Sequence, residues 1–149
     1  MKIEIIQQQN LFQVNEDALT RYALWIMEQV TALAPEIQWQ ELSMVLTDDS
    51  IRSLNQEWFG KDTVTDVISF AYPEAPATGE IIVNLQQAME EGKLRDSADE
   101  ELSLYIAHGC HHLMGAEDDT PERKNAMLTL ENQWVTSFKA LHGMDPYFI

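Results

Sequence analysis

Ala107-His108-Gly109-Cys110-His111-His112-Leu113-Met114-Gly115-Ala116-Glu117-Asp118-Asp119 reads as the end of a helix and the turn that closes it. His108 and His112 are one helical turn apart, so both imidazoles lie on one face. Gly115 can take the left-handed conformation that ends a helix. Asp118 follows that glycine and can return toward the same face. Two imidazoles and one carboxylate form a metal-ligand set with a coordination position left for water. The spacing is the H-x-x-x-H-x-x-G-x-x-ligand frame of compact metallohydrolases, with Asp118 where a third histidine usually stands. His111 is a rival ligand, close to the same face, and Asp119 is the rival of Asp118.

The helix bearing these residues is expected to start near Ser97 or Asp99, where acidic side chains suit the positive helix end. It runs through Leu102, Tyr105 and Ile106 to Met114. Cys110 points away from the imidazole pair and reads as packing. Downstream, Thr120 as cap and Pro121 at the first position predict a last helix. Its expected core stripe is Met127, Leu130, Trp134, Phe138 and Leu141. His142 near its end serves the helix dipole rather than a metal.

Upstream, Lys2 to Ile6 reads as a strand. Asn15 caps a helix over about 16–34, with Leu19, Tyr22, Ala23, Ile26, Met27, Val30 and Leu33 as its apolar stripe. Leu42 to Thr47 is a second strand with Leu42, Met44 and Leu46 on one face. Thr47-Asp48-Asp49-Ser50 offers capping side chains for a helix that turns Ile51, Leu54 and Trp58 inward and ends near Gly60. Thr63 to Asp66 closes a turn before a short strand, Val67 to Phe70. Tyr72 to Thr78 is a hairpin-like connection. Ile81 to Asn84 is apolar on both faces and so internal. Leu85 to Gly92 is a helix with a glycine stop, followed by a charged loop from Lys93 to Ser97.

The chain has 149 residues, which suits a single domain over 1–149. The start Met1-Lys2-Ile3-Glu4 is too polar for a signal peptide, and no apolar run reaches membrane-spanning length. One cysteine rules out an internal disulfide, which fits a reducing cytosol. A net charge of −16 gives little long-range attraction to nucleic acid, so any RNA partner must meet a local basic cluster or arrive through another protein. Arg52, Lys61, Arg95, Arg123 and Lys124 are the cations available for a phosphate-binding surface.

Three blocks resemble the YbeY family of bacterial metal-dependent endoribonucleases. Leu54 to Phe70, LNQEWFGKDTVTDVISF, is similar to the family's LN-x-x-YRGKD-x-PTDVLSF. Gly79-Glu80-Ile81-Ile82-Val83 is similar to GDI-x-I, and the histidine block to HG-x-LHL-x-GYDH. Asp145-Pro146-Tyr147 looks like endings seen in the family. The resemblance implies an α+β domain, with a small mixed sheet of about four strands and about five helices. It implies a zinc site, one ion per chain, held by His108, His112 and Asp118. It also implies a cytoplasmic, zinc-dependent endoribonuclease that acts on ribosomal RNA in 16S rRNA 3′-end maturation and ribosome quality control. The partners it implies are the small ribosomal subunit and a ribosomal protein or GTPase, not DNA or membrane. Asp118 replaces the family's third histidine, Phe59 an arginine, Ala116-Glu117 a Tyr-Asp pair, and His111 a leucine.

A carboxylate in place of an imidazole adds negative charge, so a bound water should be less acidic than with three histidines. The same ligands suit iron, manganese or nickel. Gly109 stands where metzincin-type proteases carry their glutamate base, which argues against peptidase activity. Glu117 and Glu80 are the candidates for a general base. Lys61, Thr65, Ser69 and Arg123 are the candidates for contacts to substrate. The alternatives to a nuclease are a metal-stabilised ribosome-assembly factor and a metallohydrolase with a small-molecule substrate.

Overall fold

The structure, a computed structural model, describes residues 1–95 and 97–149. Its strands are β1 (Lys2–Gln7), β2 (Trp39–Thr47), β3 (Val67–Tyr72) and β4 (Ala77–Asn84). Its helices are α1 (Glu16–Leu33), α2 (Ile51–Phe59), α3 (Leu85–Leu94), α4 (Ala98–Leu113) and α5 (Pro121–His142). The sheet order is β1-β2-β4-β3, with β3 antiparallel to β4 and the other neighbours parallel. This is the α+β arrangement expected, a mixed four-stranded sheet with five helices. No helix among the described residues is long and apolar enough to cross a membrane.

Alternation along the strands divides the core in two. Leu42, Met44 and Leu46 of β2, with Ile81 and Val83 of β4, pack with α1 and α4 in the main core. Val45, Ile68 and Ile82 face the other way and pack on Ile51 of α2. The expected caps form at Asn15, Ser97 and Thr120, each accepting a hydrogen bond from a backbone N–H of the first turn. The C-terminal segment is tied to the same frame. Asp99 Oδ1 accepts from the Tyr147 and Phe148 amides, and Tyr22 Oη donates to the Ser103 carbonyl.

Several expectations need correction. Trp58 is not turned inward but is 61% exposed: its ring meets the edge of Phe70 on β3, an outer strand of the sheet, and the rest of it faces outward. Leu141 is 69% exposed, since the last turn of α5 runs past the core. Ser50 makes no side-chain cap; instead Asp48, Asp49 and Ser50 carbonyls accept from the Ile51, Arg52 and Ser53 amides. Gly92 is no helix stop, because α3 continues to Leu94. A Cβ there would lie 2.3 Å from Ala98 Cα, so this glycine lets α3 and the start of α4 touch.

The two uses of glycine separate experimentally. Gly92→Ala forces backbone apart and should cost at least about 3 kcal/mol of stability. Gly60→Ala meets only the cost of a left-handed residue (φ +66°), about 1 kcal/mol. Urea unfolding midpoints compare them, and equal losses would contradict the packing role of Gly92.

Candidate metal centre

The position of α4 is set by a missing side chain. A Cβ on Gly109 would lie 2.8 Å from Val67 Cγ2 and 3.1 Å from Ile81 Cγ2. The helix backbone therefore rests on β3 and β4, and Ser69 Oγ donates to the Gly109 carbonyl at 2.7 Å. A glutamate base at this position has no room, which gives the physical reason for its absence. His108 and His112 flank this contact, partly buried. Gly115, at φ +92°, turns the chain back, and its amide donates to the His112 carbonyl at 3.0 Å.

That turn brings three donor atoms together. His108 Nε2 and His112 Nε2 are 3.0 Å apart, and Asp118 Oδ2 is 3.5 Å from the first and 3.7 Å from the second. A tetrahedral ion with bonds of about 2.0–2.1 Å needs donors roughly 3.3 Å apart. The ring tautomers fit as well. The Ala116 carbonyl can only accept, so His112 Nδ1 donates to it at 2.8 Å and Nε2 is left with its lone pair. His108 Nδ1 donates to Glu131 Oε1 at 2.9 Å, again leaving Nε2 as the acceptor. Two lone pairs and a carboxylate aimed at one point call for a cation between them. The residues present thus fit a divalent metal.

Glu131 is the residue that the sequence reading passed over. It is fully buried on α5, and its Oε2 also accepts from His111 Nδ1 at 2.7 Å. A buried carboxylate stripped of such partners costs about 3–5 kcal/mol. The signal for it was present: an acid within the apolar stripe Met127–Trp134–Phe138 must be paired. Burial disfavours charge on His108. The hydrogen bond and charge of Glu131, with Asp66 and Asp118 nearby, outweigh that and hold its pKa above the ordinary histidine value. Burial likewise favours protonating Glu131, but the bonds from His108 and His111 outweigh it and hold the carboxyl below its usual range.

The other candidates fall in different places. His111 is buried on Glu131 and against Trp134, not beside the donor group. Asp119 and Glu117 both pair with Arg123, at 2.9 and 3.2 Å, and Glu117 is exposed. Glu80 is not a base for this centre. Its neighbours Gly79 and Ile81 approach Leu113 and Gly109 of α4, so Glu80 projects from the opposite face of β4. Thr65 and Asp66 form the expected turn, in which Asp66 Oδ1 accepts from the Val67 amide at 2.8 Å. Cys110 is fully buried in the core, and burial pushes its thiol well above the ordinary range. A cleft of about 280 Å³ opens beside His108 and Asp118, with Asp66, Tyr105, Arg95 and Lys124 on its walls. Lys61, Thr65, Ser69 and Arg123 do not line it. A larger cavity of about 520 Å³ lies between α1 and the end of α5 and contains none of the donor residues. Of the two, only the smaller cleft is lined by proposed donors, His108 and Asp118.

The family model described as Endoribonuclease YbeY matches residues 4–139. The chain belongs to the YbeY family. An Endoribonuclease YbeY from Renibacterium salmoninarum is 31% identical over 151 residues, covering 93% of each chain. Another from Syntrophomonas wolfei is 30% identical over 154 residues, covering 93% of this chain and 98% of that one. A third, from Anaeromyxobacter, is 37% identical over 97 residues, which are 61% of this chain and 50% of the relative. For several YbeY relatives, then, this chain spans about half the length or less. The solution structure of a protein from Thermotoga maritima shares the fold, with a TM-score of 0.59 at 23% identity over 96% of this chain and 95% of that one.

If Glu131 orients His108 as a ligand, Glu131→Ala should weaken zinc binding about 10- to 100-fold in a chelator competition titration. Asp118→Ala should weaken it at least about tenfold, and Asp119→Ala not at all. Equal effects of the two aspartates would move the third ligand.

The metal-free chain has its own signature. Glu131, with its pKa lowered, stabilises the fold above its unfolded value of 4.5 and loses this as pH falls through the folded value. His108, with its pKa raised, stabilises below its unfolded value of 6.5 and loses this as pH rises through the folded value. In chelator the thermal midpoint should therefore fall more as pH rises above 6.5 in the wild type than in Glu131→Gln. Parallel curves would contradict the coupling.

Proposed function

We propose that this protein is a metal-dependent endoribonuclease whose metal ligands are His108, His112 and Asp118. The observation that carries the reading is the pair of Nε2 atoms 3.0 Å apart, each left with a lone pair by an Nδ1–H bond to Glu131 or to the Ala116 carbonyl. The relatives are called endoribonucleases, which gives the substrate class. Zinc is the first choice for two histidines and a carboxylate, with iron, manganese and nickel accepted by the same donors.

A divalent ion in such a site supplies Lewis-acid polarisation of a phosphoryl oxygen and a water of lowered pKa. The chain does the rest. Glu131 fixes the ring of His108, Ala116 fixes that of His112, and the partial burial of both keeps bulk water from competing for the donors. The cleft beside His108 and Asp118 is where a single RNA strand would enter. By family, the proposed setting is the cytoplasm. The proposed task is 16S rRNA 3′-end maturation and ribosome quality control, on the small subunit and with a ribosomal protein or GTPase as companion.

A second reading, a metal-stabilised ribosome-assembly factor with little nuclease activity, is favoured by one surface. Trp58 and Phe59 are exposed and pack their rings on Phe70, a side open to a macromolecular partner.

Cleavage of a single-stranded rRNA precursor separates the two. The nuclease reading expects cleavage that chelator abolishes, zinc restores, and His112→Ala lowers by at least about a hundredfold. Full cleavage by His112→Ala would sink it. No cleavage by a zinc-loaded wild type would favour the assembly factor.

A further inference from the structure

The chain has nine lysines and arginines against 25 acids, and most of the cations are engaged. Arg21 pairs with Asp145, Arg52 with Asp62, Arg123 with Glu117 and Asp119, and Lys139 with Glu100. Two cations line the cleft beside His108 and Asp118, namely Arg95 and Lys124. Arg95 is held by Glu101 at 3.3 Å and by Glu91 at 3.7 Å. Glu101 is buried, so Arg95 balances a carboxylate that water cannot screen. Lys124, on the exposed first turn of α5, forms no ion pair among the described residues.

The cleft otherwise presents Asp66 and Asp118, with Glu131 behind His108. A phosphodiester entering it meets carboxylates on several sides. An uncommitted ammonium at that wall is the group able to form a charge-assisted bond to a phosphate oxygen. Taking the endoribonuclease reading as the source of the substrate class, we propose that Lys124 is the phosphate anchor of this cleft. Its ammonium holds a non-bridging oxygen of a single-stranded RNA and so places the strand beside His108, His112 and Asp118. In a chain this acidic the field at a distance repels RNA, so affinity rests on short-range contacts such as this one.

The test is binding of a fluorescein-labelled single-stranded oligoribonucleotide, read by anisotropy on the full chain, zinc-loaded and chelator-treated. Lys124→Ala should bind about tenfold more weakly at low salt and flatten the log–log salt slope by about 0.7, the value of one phosphate contact on a single strand. Lys124→Arg should restore both. Lys2→Ala removes the same charge from β1, at the far edge of the sheet from β3, and should change neither. Equal losses in Lys2→Ala and Lys124→Ala, an unchanged slope in Lys124→Ala, or no binding by the wild type would each overturn the anchor. Cleavage is scored in the same zinc-loaded samples. Binding through Lys124 without cleavage would keep the anchor and overturn the endoribonuclease reading. Cleavage with binding indifferent to Lys124 would do the reverse.

Discussion

The structure depends on one close approach. At Gly109 the backbone of α4 lies directly on Val67, Ile81 and Ser69, with no side chain between. A helix held this near a sheet cannot roll, so the residues on either side of the contact have fixed directions. His108 and His112 turn toward the loop and α5, while Cys110 is driven into the core. Glu131 can then reach both His108 and His111 from a single position on α5. Each of these contacts assumes the one before it. Moving α4 outward by the width of a methyl group would shift both imidazoles relative to α5.

The sequence was informative where local chemistry decides. Asn15, Ser97 and Thr120 cap their helices by bonds within a few residues, and alternation in β2 and β4 follows from the pleat. The histidine spacing and the turn at Gly115 are local too, so the donor group could be assembled on paper. What escaped reading was what distant segments decide. Gly92 looks like a stop because glycines often are, yet its role is set by the close approach of Ala98, the first residue of α4. Leu141 continues an apolar period past the core, and Trp58 meets only the ring of Phe70 on an outer strand, so both stay largely exposed. Glu131 is far from the histidines in the chain, and only the packing of α5 on α4 brings them together. Glu80 sits in a motif of family type, and only the packing of Gly79 and Ile81 against α4 shows that it lies on the other face of β4.

The charge distribution repeats the same division. Arginines and acids close in space cancel one another at the surface, as at Arg52–Asp62 and Arg123–Asp119. Exposed pairs of this kind contribute little to stability. Their effect is to remove cations from the pool that could meet an anion. Three carboxylates around His108 raise its affinity for a proton, so protons and metal ions compete for the same lone pair.

The turn from Gly115 to Asp118 has a consequence for exchange. It holds the ring of His112 through the Ala116 carbonyl and delivers Asp118 within the same few residues. Both imidazoles stay on α4, so Asp118 is the one proposed donor that the loop carries. Opening of the loop would withdraw Asp118 and, by breaking the Ala116 bond, free the ring of His112 to turn, while His108 stays held by Glu131. Residence of an ion in such a centre would then follow the local opening of this loop rather than that of the helix.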